Sequence, residues 1–228
     1  MNSPNTRNIS KKKKNPFYNF FYDLVKVTGI VPALIWLRPK IYNPYGTKIP
    51  RGRVLILSNH PSFLDPITIL SSIVSRRLCF LVTKDLYKNS LMTFILDRVH
   101  CIKADKNNFA LSAFHAVVER LKEERAVVIF PEGQVNKDEK AVLAFKAGAV
   151  LMAHKSDSPI MPVYIAKKKK WYQRQHVVIG KPIFLSDHLG SVPSMEDLDR
   201  VNVIVQKEEQ KLADYFTSLP ICEKLNKE

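Results

Sequence analysis

The chain has 228 residues, 46% hydrophobic and 25% charged, which excludes a disordered chain and leaves room for one large domain, or at most two small ones, with a full core. Its 36 Lys and Arg stand against 21 Asp and Glu, a formal net charge of +15. That excess selects polyanionic partners (nucleic acid, an anionic membrane leaflet or phosphate-bearing substrates) without choosing among them.

Residues 1–15 are polar and basic, with Lys11 to Lys14 in a row, and read as a mobile tail. Residues 16–40 follow as an expected membrane-interface helix. They carry Phe17, Tyr18, Phe20, Phe21, Tyr22 and Trp36, and aromatic rings favour the headgroup boundary. Asp23, Lys26 and Pro32 interrupt the stretch, and no A-x-A cleavage pattern follows, which argues against a signal peptide. The run without charge, Val27 to Leu37, falls short of the ~20 residues that a spanning helix needs.

Residues 41–228 read as one α/β domain, a layered structure with a mixed, largely parallel sheet flanked by helices. Tyr42 to Arg53, with two Pro and two Gly, is a connecting loop. Val54 to Leu57 is a short buried strand, Pro66 to Arg77 a helix, Leu78 to Val82 a strand, Ser90 to Val99 a helix and Cys101 to Lys103 a strand. Asn107 to Glu124 is amphipathic, with Ala110, Phe114, Val117, Val118 and Leu121 on one face. Ala126 to Phe130 is a strand, Phe145 to Lys155 a helix, Ile160 to Ile165 and His176 to Ile179 strands, and Glu196 to Phe216 a final helix solvated on one side. Cys79 and Cys101 sit in apolar runs as small core residues. With an odd cysteine count and no C-x-x-C, the default compartment is a reducing one.

In such sheets the site lies outside the carboxyl ends of the strands. The segments after the strands hold His60 and Asp65, Lys84 and Asp85, Asp105 and Lys106, then Glu132 and Gly133. His60 has the side chain whose ordinary pKa suits a base near neutrality, and Asp65, across a turn, could orient it. Asp65-Pro66 is equally a good helix start, with Asp as N-cap. There is no G-x-S-x-G, H-E-x-x-H, Cys/His cluster, G-x-G-x-x-G or P-loop, so a hydrolase elbow, a zinc site and nucleotide phosphotransfer find no motif. No recognised nucleic-acid motif accompanies the basic runs Lys11 to Lys14 and Lys167 to Lys170, and nucleic acid is not expected as a partner.

Asn59-His60-Pro61-Ser62-Phe63-Leu64-Asp65 resembles the N-H-x-x-x-x-D block of the glycerolipid acyltransferases, in particular the 1-acylglycerol-3-phosphate acyltransferases. Cys101 to Lys106 is similar to the second block of that family, Phe130-Pro131-Glu132-Gly133 to its F-P-E-G, and Ser158 to Val163 to its Pro-bearing fourth block. The resemblance runs from about Leu55 to Pro182. It implies catalysis by His60 and Asp65 and substrate contacts at Glu132, Gly133, Pro159 and Pro162. It also implies an acyl donor (acyl-CoA or acyl carrier protein), a lysophospholipid acceptor, no cofactor or metal, and a peripheral or monotopic place on the cytoplasmic face of a membrane. Two positions depart from the pattern. Gln134-Val135 stands where the family has Thr-Arg, and Lys106 where it has Arg. Lys84 and Lys106 are then the cations expected to meet an acceptor phosphate. Other acceptors, such as glycerol 3-phosphate, and a non-catalytic binder of anionic lipid remain alternatives.

Overall fold

The computed structural model describes residues 16–83, 87, 89–104, 109–133, 135, 148–168, 170, 172–190 and 192–222. The fold grows around Val54-Leu55-Ile56-Leu57, an aliphatic run that reads as a strand buried on both faces. It forms strand β2 (Val54–Ser58), with every residue buried. Parallel neighbours flank it: β5 (Ala126–Ile129) on one side and β6 (Ile160–Ile165) on the other. Beyond β5 lie β3 (Leu78–Thr83) and β4 (Ile102–Ala104), again parallel. Beyond β6 lies β7 (His176–Ile179), antiparallel, and then β1 (Lys40–Tyr42), parallel to β7. The seven strands run in the order β1-β7-β6-β2-β5-β3-β4, the mixed, largely parallel sheet that the sequence predicts.

Alternation along the strands divides the core. Leu55, Leu57, Val127, Ile129 and Ile160 face α4 (Phe109–Lys122), α5 (Gly148–Lys155) and the first turns of α6 (Met195–Thr217). Val54, Ile56, Val128, Met161 and Val163 face α2 (Asp65–Ser72) on the other side. α1 (Pro16–Leu37) packs on α2 and on α3 (Ser90–Arg98). Its Tyr22 is buried, and the Tyr22 hydroxyl accepts the Leu78 N–H at 2.8 Å and donates to the Leu78 carbonyl at 3.3 Å. Asp23 pairs with Arg77 at 2.6 Å beside it.

Several expected boundaries move. The N-terminal helix stops at Leu37 rather than residue 40, because Lys40 to Tyr42 pair with His176 to Val178 as β1, inside what reads as helix end and loop. α2 stops at Ser72, where the sequence pattern continues to Arg77. The chain turns back there, and Arg76 donates to the carbonyls of Pro50 and Gly52. α6 begins at Met195 behind a capping box, with the Ser194 hydroxyl accepting the Asp197 N–H at 3.1 Å and the Asp197 carboxylate accepting the Ser194 N–H at 3.1 Å. A 3-10 turn at Leu185–Asp187 had no sequence signal. Residues 1–15, read as a mobile tail, lie outside the described residues, as do 105–108 and 136–147.

Candidate active site

β2, β5, β3 and β4 run parallel, so the segments that follow them leave the same edge of the sheet. His60 emerges there two residues after β2, and the buried stub before it is strongly held. The Asn59 side chain extends the pairing of β2 with β6 past the last strand rung: its amide donates to the Ile165 carbonyl at 2.9 Å and its carbonyl accepts the Ile165 N–H at 2.7 Å. The Asn59 N–H donates to a carboxyl oxygen of Glu209 at 2.6 Å. Glu209 comes from α6, is fully buried, and has its carboxyl pushed well above the usual carboxylate range, first by burial and then by the neighbouring Glu132.

The His60 Nδ1 lies 2.8 Å from Asp65 Oδ2, and the same oxygen accepts the Ser62 N–H at 2.7 Å. Asp65 is the first residue of α2, with Leu64 at the N-cap and Pro66 next, so the reading of Asp65 as the N-cap is corrected. The side chain turns back to the imidazole instead of capping its own helix. Burial pushes the Asp65 carboxyl up, and the bonds from His60 and Ser62 act against that. With Asp65 as acceptor, the proton of the neutral ring sits on Nδ1, and Nε2 keeps its lone pair. One face of the imidazole stacks on Phe130, with centroids 4.2 Å apart and 18° between the planes. The His60 side chain keeps 16% of its surface accessible against 1% for Asp65. The arrangement is a base with a buried orienting carboxylate, open at the sheet edge.

Phe130 directly follows β5, and the chain turns at once, with the Gly133 N–H donating to the Phe130 carbonyl at 3.1 Å. Gly133 takes φ 72°, a left-handed conformation that favours glycine. Glu132 is buried beside Glu209, while Gly133 is exposed. The turn therefore stands next to His60, as the sequence implies. Lys84 and Lys106 lie outside the described residues.

Pro159 and Pro162 are not brought to His60. The Pro159 carbonyl accepts the Leu55 N–H at 2.9 Å at the other end of the sheet, roughly 15–20 Å along the strands. Pro162 is buried inside β6 opposite Leu57. Its carbonyl accepts the Gly180 N–H at 2.9 Å, and the Gly180 carbonyl, which a prolyl nitrogen cannot serve, accepts the Thr47 hydroxyl at 3.0 Å. The donors at the start of α2 are largely committed too. The Asp65 N–H goes to the Ser62 carbonyl and that of Thr68 to Leu64, while Pro66 has none. Cys79 and Cys101 are free thiols that burial pushes up to about 11 and about 12, which suits core residues rather than nucleophiles. Among the described residues, no group of three or more His, Cys, Asp and Glu is placed to hold a metal.

Residues 42–166, more than half of the chain, match the family model described as Acyltransferase. The chain belongs to that family. This acyltransferase is 26% identical over 182 residues to the 1-acyl-sn-glycerol-3-phosphate acyltransferase of Bacillus subtilis, covering 76% of this chain and 89% of that protein. It is 31% identical over 121 residues to the enzyme of the same name from Helicobacter pylori, covering 52% of this chain and 51% of that one. In fold it resembles the crystal structure of the 1-acyl-sn-glycerophosphate acyltransferase of Thermotoga maritima, with a TM-score of 0.67 at 19% identity over 91% of this chain and 85% of that chain. The acyltransferase is thus an O-acyltransferase of lipid biosynthesis, with the α/β architecture expected of it. Two of its site residues escaped the sequence. Phe130 reads as the last residue of a strand and the first of the F-P-E-G block, with nothing to mark its ring as the one that stacks on His60. Glu209 reads as part of a solvated helix, although it falls in the buried register of Leu198, Val201, Val205 and Leu212. A carboxylate on an apolar stripe is the signal that could have found it.

Proposed function

We propose that this acyltransferase moves an acyl group from the thioester of acyl-CoA or acyl carrier protein to the free hydroxyl of 1-acyl-sn-glycerol 3-phosphate, giving phosphatidic acid, with His60 as general base. The observation that carries the reading is the 2.8 Å contact of His60 Nδ1 with the buried Asp65. Nε2 takes the proton of the acceptor hydroxyl as its oxygen bonds to the thioester carbonyl carbon. The tetrahedral intermediate then expels the thiolate, a tolerable leaving group because thiols ionise near pH ~8.5, and the imidazolium returns the proton to it. No covalent enzyme intermediate, resident cofactor or metal enters this scheme.

The relatives' names supply the acceptor, and Lys84 and Lys106, in the segments that follow strands at the carboxyl edge, are the proposed cations for its phosphate. Glu209 holds the His60 stub through the Asn59 N–H, and Glu132 of the turn is buried beside it. Peripheral attachment to the cytoplasmic face of a membrane is the matching location. No described helix is long and apolar enough to cross a bilayer, while α1 presents Phe20, Leu24, Val27, Val31, Ile35 and Trp36 outward. The basic tail of residues 1–15 would add attraction to an anionic leaflet.

The test is a panel of labelled acyl-CoA and acyl carrier protein donors against several lysolipids and glycerol 3-phosphate, with products identified by mass. Phosphatidic acid should dominate. His60→Ala should lose about 10²–10⁴-fold in turnover while remaining folded. Turnover within a few-fold of the unmodified enzyme would remove His60 from the mechanism. A panel in which every product lacks a phosphate monoester would replace the acceptor.

A further inference from the structure

Of the basic run Lys167 to Lys170, the described Lys168 and Lys170 have no part in the chemistry above, and their surroundings make them more than part of a solvated loop. The run leaves the carboxyl end of β6, next to the strand that carries His60. There it meets the end of α1. Arg38 caps that helix in a left-handed conformation, φ 43°, with its N–H donating to the Leu34 carbonyl at 3.0 Å. Its guanidinium donates to the Tyr172 carbonyl at 2.9 Å, and the Arg174 guanidinium donates to the Arg38 carbonyl at 3.2 Å. The Gln175 N–H reaches the Leu37 carbonyl at 2.9 Å, and the Lys40 N–H the Gln175 carbonyl at 2.8 Å. These bonds tie the end of the helix to Tyr172, Arg174 and Gln175 ahead of β7.

Five cations share this corner: Arg38, Lys40, Lys168, Lys170 and Arg174. The ion pairs between cationic side chains and carboxylates among the described residues are made by other side chains. The charges felt by the buried His176 are all positive, from Lys40, Arg174 and Lys168, and with burial first they hold its imidazole down at about 4. The ammonium of half-buried Lys168 is pulled down by burial and by Arg38. Like charges held together without a carboxylate raise one another's cost until an anion joins them. The neighbouring apolar groups say which anion. Ile35 and Trp36, 72% and 51% exposed, stand three and two residues before Arg38 and end the outward apolar stripe of α1. An apolar, aromatic edge bordered by cations matches the boundary between acyl chains and headgroup phosphates.

We propose that Arg38, Lys40, Lys168, Lys170 and Arg174 form a docking site for the headgroup phosphates of anionic lipids in the bilayer. The site sits two to three strands, about 10–14 Å, to the side of β2 on the edge that bears His60, so occupying it turns that edge to the membrane. The peripheral location proposed above is assumed; the particular cations are new.

The test uses the full chain with Lys40, Lys168 and Lys170 changed to Gln, since none of the three ammonium groups makes one of the hydrogen bonds that hold the corner; those of Lys40 and Lys170 lie over the Tyr42 and Tyr172 rings, and circular dichroism checks that the variant is folded. A matched control changes Lys48, Lys122 and Lys155 to Gln, exposed positions at the opposite edge, with the same loss of charge. Co-sedimentation is measured with vesicles of phosphatidylglycerol and phosphatidylcholine in equal parts, and with phosphatidylcholine alone. At about fivefold per basic residue near an anionic leaflet, the first variant should bind the anionic vesicles on the order of 100-fold more weakly. The control should lose much less, and binding to the neutral vesicles should be equal for all three proteins. Equal losses in the two variants would reduce the effect to net charge and overturn the site. Unchanged vesicle binding with a raised Michaelis constant for acyl-CoA would overturn it in favour of a soluble phosphate. Because co-sedimentation needs no turnover, failure of the proposed acyl transfer would leave this result readable.

Discussion

Replacing Glu209 by Gln keeps the side chain's size and its acceptor oxygen for the Asn59 N–H, and removes only its ionisation. In the folded protein burial holds this carboxyl well above its ordinary value of 4.5. Below that value both the folded and the unfolded chain carry the proton, and the contribution to stability is fully present. As pH rises past it, the unfolded chain ionises while the folded one does not, so stability is lost at up to ~1.4 kcal/mol per pH unit until the folded carboxyl itself gives up its proton. Glu209→Gln has no such slope. Urea unfolding followed by circular dichroism, from about pH 5 upward, should therefore show Glu209→Gln gaining on the unmodified protein as pH rises, and levelling off where the folded carboxyl ionises. Glu132 is the acid that faces Glu209. The divergence should persist in a Glu132→Gln background, because burial is the larger cause of the shift. Turnover should survive Glu209→Gln, whereas Glu209→Ala orphans a buried N–H next to His60, at about 1–3 kcal/mol, and should lower it. Parallel stability profiles for Glu209→Gln and the unmodified protein would refute a protonated Glu209.

Asp65→Asn should reduce kcat by about 10²–10⁴-fold with little change in the acceptor Michaelis constant, because an amide can hold the imidazole in the wrong tautomer; steady-state kinetics with a loss under threefold would mean that Asp65 serves only the fold. Tyr22→Phe leaves the buried Leu78 N–H and carbonyl without the hydroxyl that serves both, so thermal unfolding should register a loss of about 1–3 kcal/mol; an unchanged midpoint would show that α1 does not stabilise the domain through Tyr22. Gly180→Ala would place a methyl 2.8 Å from Pro162 Cγ, 2.9 Å from its carbonyl oxygen and 3.1 Å from Leu212 Cδ1. Overpacking of that kind costs about 1–3 kcal/mol, and a neutral effect in the same assay would mean that β7 can shift to admit it.

The central strands were legible because a strand buried on both faces must be continuously apolar, as Val54 to Leu57, Ala126 to Ile129 and Ile160 to Ile165 are. β1 was not, because Lys40-Ile41-Tyr42 is a short, largely exposed edge strand whose only reason to extend is a partner far along the chain. His60 and Asp65 were legible as a pair. Spacing left open whether Asp65 would cap its helix or turn to the imidazole, and burial of the carboxylate against Ser62 and His60 decided it. Phe130 and Glu209 reach the site only through packing of distant elements, so periodicity could mark Glu209 as misplaced but not name Asn59 as its partner. The Pro-bearing fourth block turned out to be sheet architecture, with Pro162, Gly180 and Thr47 settling a missing N–H among themselves.

The pairing of β1 with β7 bears on how the protein is made. Synthesis releases α1 first, with its apolar stripe, yet the strand directly after it finds its partner only when His176 to Val178 have left the ribosome. At ordinary elongation rates that interval is roughly ten seconds. During it the helix has neither the sheet edge nor Leu78, Arg77 and Gln175 to dock against until each is made. Translation therefore presents the apolar stripe of α1 before the catalytic domain can close, and, if the peripheral attachment proposed above holds, the nascent chain would meet a bilayer as an unfinished protein rather than as a completed one that must later find it.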